Sequence, residues 1–134
     1  PARIWGNVLT IAGIVMIVKW LTQKISDKKI FSSLSLMSLI SFLFMTRMHE
    51  RYLYPFFPYA TILLGLIPGF ILPYIILSVT QLLNLYHLFW APSIPALEKV
   101  YLNPEFPKVL SIINILVFFS LFYRFLRQAA KQKL

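Results

Sequence analysis

The sequence contains about five apolar runs near the length of a membrane-spanning helix, and this feature restricts the possible folds most strongly. The runs cover residues 5–21, 30–45, 56–67, 70–88 and 109–125. A helix needs about 20 mostly apolar residues to cross the hydrocarbon core of a bilayer. Of the 134 residues, 59% are hydrophobic and 13% charged, whereas soluble domains carry about 25% charged residues. We therefore predict an all-α, polytopic integral membrane protein, with residues 1–134 as a single helical region.

Prolines and a glycine interrupt the middle of the chain. The run 56–67 is too short to cross a bilayer at about 1.5 Å per residue, and Pro55 and Pro58 favour a helix start there. Pro68-Gly69 predicts a tight turn after it. We expect a short or broken helix that begins within the membrane thickness. Segment 91–108 is too polar and proline-rich to span, although residues 96–102 could form an interfacial helix.

Serines recur at helical spacing along the second run, and they predict that this helix packs inside the bundle. Small hydroxylated residues let membrane helices approach closely and hydrogen-bond to one another. The residues are Ser32, Ser33, Ser35, Ser38 and Ser41.

The excess of basic residues predicts the orientation of the chain. There are 13 Lys and Arg against 4 Asp and Glu, and they cluster beside the apolar runs, as in membrane proteins. With five crossings, the Lys24–Lys29 loop and the basic tail from Arg124 lie together on the cytoplasmic side. No basic face with interleaved stacking aromatics is visible, so we expect no nucleic-acid partner.

Metal and thiol chemistry find no support in the sequence. Cysteine is absent, which excludes disulfides and thiolate metal sites. No His/Glu spacing suggests a metal ligand set, and no glycine-rich phosphate loop occurs. We expect no cofactor.

A charged cluster follows the second run and is the candidate functional site. Ionisable groups beside hydrocarbon are costly and normally face a partner charge, a cavity or a substrate. On a continuing α-helix, Arg47 and Arg51 would share one face and could hold a phosphate through charge-assisted hydrogen bonds. His49 could donate to the same anion or to a sugar hydroxyl. The predicted substrate-binding residues are Arg47, His49, Glu50, Arg51 and Tyr52.

A simpler interpretation of the same cluster stays open. Helix ends at membrane interfaces often carry Arg, His and Tyr as anchors, and Glu50 could pair with either arginine or bind a hydroxyl. The density of charge directly against apolar sequence, followed by a broken helix, favours a functional site.

The stretch Phe44-Met45-Thr46-Arg47-Met48-His49-Glu50-Arg51-Tyr52-Leu53-Tyr54-Pro55-Phe56-Phe57-Pro58 resembles a signature of integral-membrane glycosyltransferases of the GT-C superfamily. It looks like the form found in bacterial and archaeal members related to protein mannosyltransferases. The resemblance implies transfer of a sugar from a polyprenyl-phosphate carrier to an acceptor on the non-cytoplasmic side, here of a plasma membrane. It places His49 and Arg51, and in second place Arg47 and Glu50, near the carrier phosphate.

The chain departs from that superfamily in two respects. Its members usually have about nine or more membrane helices and an acidic catalytic residue in the first outer loop. In this chain Asp27 is the only acidic residue before the motif, and it lies in the predicted cytoplasmic loop. We therefore expect the C-terminal membrane part of such an enzyme, without its catalytic base, whose partners are the N-terminal helices, membrane lipid and the polyprenyl-phosphate-linked sugar donor. The alternative is a noncatalytic transporter or assembly subunit that binds an anionic lipid headgroup.

Overall fold

The structure is a computed structural model that describes residues 2–22, 25–45, 50–89 and 92–131. These residues form helices joined by turns, with no strand among them, so the all-α prediction is confirmed. The helices are α1 (Ala2–Leu21), α2 (Asp27–Phe44), α3 (Phe56–Leu66), α4 (Ile71–Phe89), α5 (Pro95–Tyr101) and α6 (Glu105–Lys131), with a 3₁₀ helix at Glu50–Leu53.

Local sequence signals explain where several helices begin and end. Ser26 caps α2 by accepting a hydrogen bond from the Lys29 backbone N–H at 3.4 Å, as serine commonly does at this position. Helix α3 has 11 residues, about 16 Å at 1.5 Å per residue, and is as short as predicted. Gly69 then adopts φ +80° in the turn to α4, a conformation that favours glycine.

The long helices run in alternating directions. Helices α1 and α2 are antiparallel, because Lys29 Nζ lies 4.7 Å from the Trp20 ring centroid at one end of the pair while Gly13 lies against Ile40 farther along. Helices α4 and α6 are also antiparallel. Thr80 donates to Asn114 Oδ1 at 2.7 Å, and Arg124 donates to the Gly69 carbonyl at 3.3 Å.

A continuous apolar core joins all the long helices. Trp20 of α1 packs on Phe125 of α6, with ring centroids 3.7 Å apart, and Phe44 of α2 meets Phe118 edge-to-face at 5.5 Å. Helices α1 and α2 approach closely at Gly13, where an added Cβ would lie 2.8 Å from Ile40 Cδ1. Small residues permit such close approaches between helices.

This path gives the bundle two chemically different ends. The basic end is defined by Lys28 and Lys29 at the start of α2 and by Arg124 and Arg127 near the end of α6. At this end the Trp20–Phe125 contact joins α1 to α6, and the Arg124–Gly69 hydrogen bond joins α6 to the turn before α4. The loop end comprises residues 45 and 50–55, which follow α2, and residues 86–89 and 92–106, which lead from α4 through α5 to α6.

Within the described residues, two helices are long and apolar enough to cross a membrane, Arg3–Leu21 and Glu105–Arg127. The apolar helices Phe56–Leu66 and Ile71–His87 are shorter. Helix α2 begins with three charged residues, Asp27, Lys28 and Lys29.

Candidate functional site

Helix α2 ends before the charged cluster. Helix α2 ends at Phe44, and Met45 is extended at φ −74°, ψ 128° while its N–H still donates to the Ser41 carbonyl. The prediction that Arg47 and Arg51 share one face required α2 to continue unbroken, and α2 ends at Phe44; where the two guanidiniums lie stays a prediction. The extended Met45 turns the chain away from the α2 axis immediately before the cluster.

After the cluster, the chain is fixed to the bundle by apolar anchors. Leu53 closes the 3₁₀ helix and is 0% exposed, as is Phe56 at the start of α3. The 3₁₀ helix packs against both α2 and α4. The Phe57 N–H donates to the Tyr54 carbonyl at 3.1 Å, and Pro55 with φ −60° leads directly into α3. The end of the motif is therefore attached to the bundle through the buried Leu53.

Tyrosines on this segment face outward. Tyr52 and Tyr54 are both exposed, on either side of the buried Leu53. A tyrosine combines a large apolar surface with a polar tip, which suits contact with a sugar or a membrane interface. Of the predicted site residues, Tyr52 is the one whose side chain the structure describes.

The other predicted site residues are not placed by the structure. Arg47 and His49 lie outside the described residues. The backbone of Glu50 and Arg51 belongs to the 3₁₀ helix, and their side chains lie outside the described part. Their roles therefore stay predictions.

Two carboxylates elsewhere at the loop end have local partners. Glu98 Oε1 accepts from the Ser93 hydroxyl at 2.6 Å, and Glu105 Oε1 lies 2.7 Å from Lys108 Nζ. Both contacts are within a few residues along the chain and exposed, so they stabilise the turns of the 92–108 segment.

Helix α5 is held against the end of α4 by tyrosines. The Tyr86 hydroxyl accepts from the Ile94 N–H at 2.7 Å, and the Tyr101 hydroxyl donates to the Leu83 carbonyl. His87 stacks on Tyr101 with ring centroids 4.7 Å apart, which gives this histidine a structural role. Burial, together with the nearby Tyr86, raises the pKa of the Tyr101 hydroxyl above its ordinary value of 10.0.

The structure also contains a polar cluster at the basic end that sequence reasoning missed. Lys29 is only 3% exposed, and its Nζ makes no hydrogen bond within the described part of the chain. A cavity of about 40 Å³ lies between α2, α3 and α6, with Ser32, Ser35 and Arg124 in its otherwise apolar lining. The serine spacing predicted a packed α2, and Ser33 and Ser35 are indeed buried. The serine spacing did not predict the cavity, because the cavity forms only where α2, α3 and α6 meet.

Metal binding receives no support from the geometry. Among the described residues, no group of three or more His, Cys, Asp or Glu side chains could hold a metal ion.

Comparison with protein-family models, with curated proteins and with solved structures finds no significant match to this chain. The functional argument therefore depends on the motif and on the geometry around it.

Proposed function

We propose that this chain is the C-terminal membrane part of a glycosyltransferase that moves a sugar from a polyprenyl-phosphate carrier to an acceptor. The observation that carries the proposal is the Met48-His49-Glu50-Arg51-Tyr52-Leu53 motif at a break between two helices. Leu53, the last residue of the motif, is buried and attaches the motif to the bundle. Attachment to rigid elements is what a binding site for a charged substrate requires.

Membrane embedding is supported by what α1 and α6 expose. Their outward faces carry large apolar side chains, including Trp5 at 66% and Leu116 at 63% exposure. The core helix of a soluble protein would bury such residues, whereas contiguous apolar surface of this extent is typical of contact with lipid or another protein. We infer that α1, α2, α3, α4 and α6 together make five traversals of the membrane, with α3 starting inside it.

The charge distribution supports an orientation for these traversals. Lys28, Lys29, Arg124 and Arg127 all lie at the basic end, and positively charged segments are retained on the cytoplasmic side. The motif would then face the non-cytoplasmic side of a plasma membrane, where a polyprenyl-phosphate sugar is presented.

The proposed chemistry is electrostatic. Arg47, Arg51 and His49 would donate to the carrier phosphate, which gains negative charge as the sugar departs, and preorganised donors at such a position stabilise the transition state. Glu50 would orient an arginine or bind a sugar hydroxyl, and Tyr52 would pack on the sugar.

We expect the acceptor-activating carboxylate in a first outer loop outside this chain, as the resemblance implies, because Glu98 and Glu105 at the loop end already have local partners. Asp27 is the only acidic residue before the motif, and it lies at the opposite end of α2. That helix has 18 residues, or about 27 Å at 1.5 Å per residue. A general base must lie within hydrogen-bonding distance of the group that it deprotonates. Further helices of the enzyme would supply it.

The test compares His49→Ala and Arg51→Ala in the full-length enzyme. Each variant should reduce sugar transfer from a polyprenyl-phosphate donor by about 100-fold or more, which is typical for loss of a transition-state donor. Transfer is measured in membrane vesicles at matched expression.

The sequence offers matched controls for both variants. His87→Ala removes the other of the 2 histidines, and Arg3→Gln removes an exposed arginine near the start of α1. Both controls should retain transfer close to the wild-type rate. Wild-type transfer in His49→Ala and Arg51→Ala would refute the proposed role of the motif.

The exposed Tyr52 and Tyr54, which suit a membrane interface, also fit a second candidate, a noncatalytic transporter or assembly subunit that binds an anionic lipid headgroup through the same cluster. For that candidate, the reading frame would contain no upstream helices with an outer-loop Asp or Glu. Headgroup binding would then depend on Arg51 with no detectable sugar transfer.

A further inference from the structure

Gln81 is a polar residue buried in the apolar helix α4, in the half of that helix nearer the loop end. Its side chain is 3% exposed. A buried amide is unfavourable unless it is hydrogen-bonded, and glutamines on membrane helices normally hydrogen-bond to a neighbouring element of the bundle. The burial of Gln81 therefore indicates a polar group on the element that it faces.

The contacts of α4 show which element this is. Thr80 donates to Asn114 of α6 at 2.7 Å, and successive residues of an α-helix point about 100° apart, so Gln81 points in a different direction from that contact. Tyr74 lies about two turns before Gln81, on the same face of the helix. Tyr74 packs edge-to-face on Phe57 of α3, with ring centroids 6.0 Å apart. The face that carries Gln81 is therefore on the side of α3.

At the level of Gln81, the neighbour on this side is the segment that leads into α3. Tyr74 already meets the first turn of α3, and Gln81 lies about 10 Å farther toward the loop end at 1.5 Å per residue. The 3₁₀ helix Glu50–Leu53 packs against α4. Leu77, one turn before Gln81, belongs to the same buried core as Leu53. Gln81 therefore lies beside the 3₁₀ helix of the motif.

Glu50 occupies the position in this 3₁₀ helix that shares a face with Leu53. Residues three apart in a 3₁₀ helix are eclipsed, and Leu53 is 0% exposed, so this face is the one packed on the bundle. A glutamine amide supplies two N–H donors, whereas an ionised carboxylate only accepts hydrogen bonds. Glu50 and Gln81 are therefore chemically complementary and belong to elements that pack on each other.

We propose that Gln81 is a positioning residue of the transferase site: its amide donates to the Glu50 carboxylate and fixes it, so that the carboxylate orients a motif arginine toward the carrier phosphate. The assignment rests on the proposed function and selects one of the two roles given there for Glu50, orientation of an arginine rather than binding of a sugar hydroxyl. The reason is that Glu50 shares a face with the buried Leu53 and not with the exposed Tyr52.

The experiment compares Gln81→Met with Thr80→Val in the full-length enzyme. Both variants replace a side chain of α4 that is 3% exposed with an apolar one of similar size, but the Thr80 hydroxyl donates to α6 instead of facing the motif. Sugar transfer from a polyprenyl-phosphate donor is measured in membrane vesicles at matched expression, and kcat and KM are determined separately.

Gln81→Met should lower kcat about tenfold, the effect of losing one hydrogen bond to a charged group. KM should stay within about twofold, because the donors that the pair orients act on charge that develops in the transition state. Thr80→Val should keep both kcat and KM within about twofold of the wild type, because independent sites do not couple.

An exchange of the two groups separates positioning from packing. Gln81→Glu places a second carboxylate against Glu50, so it should lower kcat more than Gln81→Met does, because like charges repel. Adding Glu50→Gln to Gln81→Glu returns one amide and one carboxylate to the pair, and kcat should recover in part. A side chain that only fills space would give no such recovery.

The contact is also measurable without sugar transfer. In denaturant titrations in mild detergent, the effects of Gln81→Met and Glu50→Ala on the unfolding equilibrium constant should be non-additive by about tenfold, as for two groups joined by a charged hydrogen bond. The effects of Thr80→Val and Glu50→Ala should be additive within about twofold.

Wild-type kcat in Gln81→Met, a change in KM alone, or additive unfolding effects of Gln81→Met and Glu50→Ala would each overturn the positioning role. If transfer is lost in His49→Ala and Arg51→Ala but kept in Gln81→Met, this inference fails and the proposed function stands. If His49→Ala and Arg51→Ala keep transfer, the proposed function fails and the positioning role fails with it.

Discussion

At the loop end of the bundle, polar groups of the 92–108 segment have partners within the protein, whereas several at the basic end have none among the described residues. Tyr86 and Tyr101 bond to backbone groups of Ile94 and Leu83, and Glu98 accepts from Ser93. At the basic end, the buried polar atoms without a described hydrogen-bond partner are Trp20 Nε1, Lys29 Nζ, Ser33 Oγ and Ser35 Oγ.

This difference has a physical consequence. The hydrogen bonds of the 92–108 segment fix it to the end of α4, and the 3₁₀ helix of the motif packs against the same helix and against α2. The buried donors at the basic end have no acceptor among the described residues, and buried donors are normally hydrogen-bonded to protein or to ordered water. The two ends would therefore respond differently to substitution.

The largest expected effect is at the loop end, where Leu53 attaches the motif to the core. Leu53→Ala should lower the free energy of unfolding by about 2–5 kcal/mol, because it leaves a cavity at a site that is 0% exposed. Denaturant titration in mild detergent measures the change. Leu102→Ala, at a site 79% exposed in the same end, should have little effect. Equal changes in the free energy of unfolding for Leu53→Ala and Leu102→Ala would mean that Leu53 is not an anchor.

A substitution at the basic end should change the free energy of unfolding in the opposite direction. Lys29→Met should raise the free energy of unfolding by about 1 kcal/mol, because the cost of burying an ammonium without a described hydrogen-bond partner exceeds the gain from its cation–π contact with the Trp20 ring. The exposed Lys28→Met is the matched control and should be near neutral. A loss of stability in Lys29→Met would show that the cation–π contact with the Trp20 ring outweighs the cost of burying the ammonium.

Each tyrosine contact of the loop end should make a moderate contribution to the free energy of unfolding. Tyr101→Phe removes the hydrogen bond to the Leu83 carbonyl and should lower the free energy of unfolding by about 0.5–1.5 kcal/mol. Tyr123→Phe, at a site 63% exposed on α6, makes the same chemical change and should be neutral. If both variants matched the wild type, the docking of α5 on α4 would not depend on this bond.

The smallest effect should appear at alkaline pH. Tyr101 has a pKa raised above 10.0 by burial, with a further contribution from Tyr86. Above about pH 10 the unfolded chain loses this proton while the folded chain keeps it, so the stability of the fold falls as pH rises toward the folded pKa. The difference in stability between wild type and Tyr101→Phe should therefore narrow between about pH 9 and pH 11. A constant difference would contradict the raised pKa.

Several features of the fold were predictable because neighbouring residues determine them. The short α3 follows from the prolines before it and from Pro68-Gly69 after it, and residues 96–102 were predicted as a short helix where α5 lies at Pro95–Tyr101. Helix α6 begins at Glu105 rather than at the predicted 109, because Pro107 is tolerated in a first helical turn.

The candidate site was predictable only as a set of residue types. The break at Met45 was not apparent from the sequence, since the apolar run and the charged residues after it are compatible with a continuing helix. Its position depends on how the following segment, through Leu53, packs against α2 and α4. Helical periodicity could not anticipate that contact.

The sequence by itself determined that the chain is helical, with apolar runs of nearly membrane-spanning length and basic residues at their ends, because hydropathy and proline or glycine signals act over a few neighbouring residues. Only the tertiary structure decided which helix ends meet. Lys29 is buried on Trp20, and Arg124 lies beside Ser32 and Ser35 at a cavity. These residues are distant in sequence, and burial depends on packing between helices that no local pattern specifies.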